Sequence, residues 1–154
     1  MVLVNNSNTY VVLLFGLKAG HFKKLSEHML QAIRAALLEE CIKEKIIAQF
    51  LEQSVKHTKG VIYTKTKTRS MVARMNRSCE MVHHFEDLLD DKTITQLLTS
   101  NEVCRDFISA GKNKYVYPHE ELYKDLETCY EGPIFRAEAV QIKVTLDLDK
   151  HHAW

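Results

Sequence analysis

Little glycine, little proline and no closely spaced cysteines narrow this 154-residue chain before anything positive is read from it. Five glycines and two prolines are too few for flexible linkers, low-complexity tracts or a sandwich of many tight turns, and no segment repeats. The cysteines Cys41, Cys79, Cys104 and Cys129 are 38, 25 and 25 residues apart. That excludes the close pairs that chelate zinc or exchange disulfides, so reduced, mostly buried thiols are expected. The longest apolar run, Tyr10 to Phe15, is a strand's length rather than a bilayer's. Met1 to Val4 is also too short for the apolar part of a signal peptide, so a cytoplasmic protein with no membrane partner is expected. Gly-rich phosphate loops, nucleophile elbows and cysteines beside histidines in a recognisable context are missing as well. No catalytic set, metal site or cofactor is therefore expected, and a binding role stands ahead of an enzymatic one.

The most informative absence is local. From Ser54 to Cys79 there is no Asp or Glu, yet Lys56, Lys59, Lys65, Lys67, Arg69, Arg74 and Arg77 all lie there, with His57 beside them. Seven of the 21 Lys and Arg residues are thus concentrated in one window, while 14 face all 20 acids elsewhere. The formal net charge of +1 conceals this segregation, which attracts nucleic-acid phosphates or an acidic protein surface.

What remains has the length and the 45% hydrophobic content of one ordinary domain, able to bury roughly two-thirds of its unfolded surface. The pattern predicts α+β. Met1 to Val4 and Thr9 to Phe15 are β-branched runs separated by Asn5, Asn6, Ser7 and Asn8, turn-forming residues, so they form a β-hairpin. Neither run alternates strictly, which suits a sheet covered on both faces. Leu25, Met29, Ile33, Leu37 and Cys41 recur at helical spacing as a buried stripe, continued after a bend by Ile46, Ile47, Phe50 and Leu51. Val61 to Tyr63 reads as a short strand completing a small sheet with the hairpin. A second long helix spans Arg69 to Leu89, with Val72, Met75, Cys79, Val82, Glu86 and Leu89 on one side and Ser70, Arg74 and Arg77 on another.

The second half reads as mostly helical. Thr93 to Phe107 is helical with an interruption near Ser100 and Asn101, Gly111 to Asn113 is a turn, and Pro118 opens a helix through Tyr130. Gly132 and Pro133 close that helix. Ile134 to Leu148 alternates like a strand, so residues 1–132 are expected to form a single domain and 133–154 a C-terminal strand.

Several segments carry a resemblance: Tyr10-Val-Val-Leu-Leu-Phe-Gly-Leu-Lys18, Phe22-Lys-Lys-Leu25, and Thr64-Lys-Thr-Lys-Thr-Arg-Ser70 running into Val72-Ala-Arg-Met-Asn76. Together they resemble an uncharacterised bacterial domain that precedes the passenger domain of plasmids and insertion elements, named after a root-inducing-plasmid reading frame. The similarity covers most of Met1 to Tyr130. Val140 to Leu146 and His152-Ala-Trp154 are similar to the opening strand of the passenger domain itself. The resemblance implies an α+β fold, association with mobile DNA and a following passenger-type domain as partner, and the chain is expected to be a fragment or short form.

The candidate binding residues are Lys65, Lys67, Arg69, Ser70, Arg74 and Arg77. If Thr68 or Ser70 caps the helix, its free N–H groups and dipole point where these cations gather, a geometry suited to phosphate. The bland alternative is a solvated basic surface that pairs with Glu86, Asp87, Asp90 and Asp91. Three further patterns are weaker. Glu80-x-x-His83 has the spacing of a di-iron ligand pair but no second copy. Asp147, Asp149, His151 and His152 gather at the chain end. Glu138 with Gln141 and Lys143 resembles the acid and lysine pair of metal-dependent phosphodiester cleavage, which is the competing functional class; a structural interaction module without ligand is the third.

Overall fold

The computed structural model describes residues 1–57, 68–106, 108–109 and 115–136. The fold is α+β, with a two-stranded hairpin at the centre and helices around it. Strands β1 (Val2–Val4) and β2 (Val11–Leu13) pair antiparallel with Leu3 opposite Val12. Their loop is closed by the backbone bonds Asn5 N to Tyr10 O and Thr9 N to Asn5 O, each 2.9 Å. Thr9 sits at φ +59, a left-handed conformation that a β-branched residue adopts only when its surroundings impose it.

All three residues of β2 are buried, as the missing alternation predicted. Its second edge has no strand partner among the described residues. The helix α5 (Leu97–Arg105) lies along it, and small side chains take the place of a neighbouring backbone. Val11 N donates to Cys104 Sγ at 3.1 Å and Leu13 N to Ser100 Oγ at 3.0 Å. Sequence reading put a helix from Thr93 and a break near Ser100. Instead Thr95 forms an isolated antiparallel bridge with Leu14, just past β2, with Phe15 N bonded to Ile94 O and Gln96 N to Leu13 O, and α5 is unbroken through Ser100 and Asn101. Burial of β2 requires its edge N–H groups to find acceptors, and that demand outweighs the weak helical preference of Thr93 to Gln96.

After the short α1 (Ala19–Phe22), α2 (Leu25–Glu39) and α3 (Glu44–His57) pack on each other. The expected stripe of α2 is partly right. Leu25 and Leu37 are buried, but the deepest positions are Ala32 and Ala36, and Met29 and Ile33 are only half-buried. Small residues let α2 approach its neighbours closely, which shifts the packed face. Cys41 is not helical: it sits at φ +60, where Cys41 N bonds Leu38 O and Ile42 N bonds Leu37 O. That is a Schellman cap with cysteine in the position usually given to glycine, closed by contact of two buried residues, Leu37 and Ile42. Ile46 and Ile47 then anchor α3 in the core.

The helix α4 (Arg69–His84) is shorter than predicted and is followed by a 3-10 turn at Glu86–Leu88. Its packed side is also not the most apolar one. Ser78 and Met81 are buried, whereas Val72 and Met75 are 41% and 43% exposed and Cys79 is exposed. Contact with β1 and α5 favours a small residue at closest approach, and Ser78 satisfies its hydroxyl by donating to Arg74 O at 3.0 Å. Only Cys104 of the four thiols is buried; Cys129 is exposed and Cys41 intermediate, so the expectation of mostly buried thiols fails.

A second hairpin, β3 (Ile108–Ser109) with β4 (Tyr115–Val116), went unread in the sequence. It leads into α6 (Pro118–Cys129), which begins with Pro118 and is followed by Gly132 at φ +87, as expected. Ile134 is 1% exposed in the core, and Phe135 bridges to Ile42 through Lys43 N to Ile134 O and Arg136 N to Cys41 O, both 2.9 Å. The expected Val61 strand, the Gly111 turn and the continuation from Ala137 to Leu148 lie outside the described residues.

Candidate functional site

The chemistry of the basic window starts at the N-terminus of α4. Thr68 is extended (φ −134, ψ 144) and its hydroxyl accepts from Met71 N at 3.3 Å, so Thr68 is the cap. Ser70 Oγ lies 3.2 Å from Thr68 Oγ1. No acid stands in the first turn, which leaves the positive end of the helix dipole uncompensated by any carboxylate of that turn.

Ser70, Arg74 and Arg77 are spaced to share one helix face, within about 60 degrees at 100 degrees per residue. All three are exposed or border solvent, as is Arg69, which falls about a quarter turn away from that face. The structure therefore brings Arg74 and Arg77 together, keeps Ser70 in line with them and separates Arg69. Lys65 and Lys67 lie outside the described residues.

Arg74 and Arg77 line a groove of about 280 Å³ with Thr9, Ala73, Ser78, Ile108 and Tyr115. Its walls are thus α4, the tip of the first hairpin and the second hairpin. Arg74 Nη1 donates to Asn6 O at 2.8 Å, which holds the helix against the hairpin tip. Arg77 lies 3.5 Å from Glu80 in a pair whose side chains are more than half exposed, a geometry worth little in water and easily exchanged for another anion. The acidic segment from Glu86 begins past the far end of this 16-residue helix, about 14 Å along the axis from Arg77 and about 18 Å from Arg74, where Glu86 pairs with His83 at 2.8 Å.

Tyr115 and Thr9 were missed in the sequence as members of this groove. Tyr115 is 62% exposed and begins β4. A signal was present: Tyr115-Val-Tyr117 before Pro118 is a β-prone run at the end of a turn, the pattern of a short strand.

A second polar cluster has a different character. Glu40, at the end of α2, has a fully buried side chain. Tyr10 donates to its Oε1 at 3.0 Å, Arg105 Nη1 to Oε1 at 3.2 Å and Nη2 to Oε2 at 3.1 Å, and the Tyr123 hydroxyl donates to Oε2. A carboxylate offers about four lone-pair positions, and all are used. Burial raises Tyr10 above its ordinary range, helped by Cys104 and Glu40, and burial followed by the bond to Glu40 does the same to Tyr123. Burial alone would lower Arg105, but the Glu40 charge and hydrogen bonds outweigh it and raise it. With every acceptor site satisfied, the cluster ties α2, β2, α5 and α6 together and offers no open position to a ligand.

An apolar cleft of about 340 Å³ opens beside β1, lined by Val4, Tyr10, Met29, Ile33, Phe50 and Met75 among others. Among the described residues no group of three or more His, Cys, Asp or Glu side chains could hold a metal ion. Glu80 and His83 are each engaged with neighbours on α4 or its end. Glu138, Gln141, Lys143, Asp147, Asp149, His151 and His152 lie outside the described residues.

A family model described as Domain of unknown function (DUF6933) matches residues 1–121. The chain belongs to this family. No curated protein and no solved structure matches it. The DUF6933 match takes in both hairpins, α4 with its arginines, Glu40 and Arg105, and ends inside α6. Among the described residues no helix is long and apolar enough to cross a membrane.

Proposed function

We propose that this DUF6933 chain is a non-catalytic binding domain that contacts nucleic-acid phosphates through the exposed start of α4. Arg69, Ser70, Arg74 and Arg77 carry the contact, with Lys65 and Lys67 just before the helix. The observation behind this reading is the pairing of a capped, acid-free helix start with a groove that Arg74 and Arg77 both line. Backbone N–H groups and guanidinium forks favour phosphate for the same electrostatic reason. The resemblance to domains that precede plasmid and insertion-element passenger domains supports an accessory role in a mobile-element protein. Four free cysteines suit the cytoplasm, where thiols stay reduced.

The test is a salt titration of nucleic-acid binding by wild type and by the triple variant Lys67→Ala, Arg74→Ala and Arg77→Ala. Each lost phosphate contact should weaken binding at every sequence and reduce the slope of log affinity against log salt by about one. Equal affinity and equal slope in the two proteins would remove the proposal.

A further inference from the structure

The groove beside α4 has a shape and a lining that the phosphate reading alone does not use. We infer that it takes single-stranded nucleic acid, one base stacking on Tyr115 while Arg74 and Arg77 hold the flanking phosphates. This rests on the proposed function above and specifies which form of nucleic acid the site accepts.

Two observations favour a single strand over a duplex. A helix that reads duplex DNA must project into the major groove. The face of α4 that bears the arginines instead shares a groove with both hairpins: Thr9 of the first and Ile108 and Tyr115 of the second line it, and the first hairpin's tip is bonded to Arg74 at 2.8 Å through Asn6 O. A concavity of about 280 Å³ suits an unstacked base and its neighbouring phosphates rather than the broad face of a double helix. The second observation is the aromatic wall. Tyr115 is 62% exposed where it lines the groove, and it belongs to a strand paired through Ser109 rather than to a loop. A largely exposed tyrosine on a paired strand, lining the same groove as two arginines, supplies the combination that single-strand binders use: a stacking platform beside cations that follow the backbone. Among the described residues of the groove, the Ser78 hydroxyl is engaged with Arg74 O and the Thr9 hydroxyl with Asn8 O at 2.6 Å, so neither is left to read a base edge, and binding should tolerate any sequence.

The experiment measures fluorescence anisotropy of a labelled mixed-sequence oligonucleotide, as single strand and as duplex, across a range of salt. Wild type should bind the single strand more tightly than the duplex. Tyr115→Ala should weaken single-strand binding by about 5- to 150-fold, the loss of one stacked base, with the salt slope unchanged. Tyr115→Phe should retain the affinity, and Tyr115→Leu, which keeps an apolar strand residue, should lose it as the alanine variant does. Single-strand affinity that is insensitive to Tyr115→Ala and Tyr115→Leu, while the arginine variants still flatten the slope, overturns the stacking site and leaves the phosphate reading standing. Equal affinity for duplex and single strand also overturns the inference. Failure of wild type to bind either probe overturns both.

Discussion

Replacing Arg105 by alanine should be among the most damaging changes available near the surface of this protein. Glu40 has a side chain 0% exposed, and Arg105 supplies two of its four hydrogen bonds from a side chain 43% exposed. Removing one member of a buried pair leaves an uncompensated charge and costs about 3–5 kcal/mol. Because the outer side of Arg105 is already wet, the lower end applies, about 3 kcal/mol. At roughly 2–4 °C per kcal/mol for a domain near this size, melting should fall by about 6–12 °C. Urea unfolding followed by circular dichroism measures the change, with the slope against denaturant preserved. The double variant Glu40→Gln with Arg105→Met removes both charges while the amide oxygen still accepts from a tyrosine, so it should be more stable than Arg105→Ala alone. A loss below about 0.5 kcal/mol in Arg105→Ala, the range of ordinary surface changes, would refute the reasoning. So would a double variant no better than the single one.

Two further outcomes follow from the core. Burial pushes the Cys104 thiol up to about 12, and Tyr10 and Tyr123 are raised as well, so above about pH 8.5 the unfolded chain releases protons that the folded one retains. Stability should fall above that pH, first through Cys104 and then, from about pH 10, through the tyrosines, by up to about 1.4 kcal/mol per pH unit for each group. Cys104→Ala should abolish the first part of the fall, and a level wild-type profile from pH 8 to about 10.5 would contradict the burial argument. Ile47→Ala, at a fully buried position, should cost about 2–5 kcal/mol. Ile33→Ala, where the side chain already borders an open cleft, should cost less than half as much, and equal losses in urea unfolding would mean that the cleft is closed in solution.

Much of the local structure was legible in the residues themselves. Asn5 to Asn8 announced the first hairpin, Pro118 and Gly132 bracketed α6, and the cap of α4 was narrowed to Thr68 or Ser70, because each of these features depends on backbone preferences of a few neighbouring residues. The charge segregation was equally plain, since like charges in one window need no tertiary contact to be counted. Where the packed faces fell was not legible. Periodicity selected the most apolar stripe of α4, but the fold packs the side bearing Ser78, and the deepest positions of α2 are Ala32 and Ala36, because close approach of elements rewards small side chains as well as apolar ones.

The sequence by itself determined the α+β class, the hairpin, the order of the long helices and the basic window, all of which arise from interactions a few residues apart. Only the tertiary structure decided that α5, through Ser100 and Cys104, would cover the edge of β2, and that Cys41 rather than a glycine would end α2. The same is true of the four-membered cluster on Glu40 and of the meeting of Arg74, Arg77 and Tyr115 in one groove. Those arrangements join residues tens of positions apart. What selects them is the need to satisfy buried N–H groups and a buried carboxylate once the core has formed, a requirement that no stretch of sequence displays until the chain has closed around it.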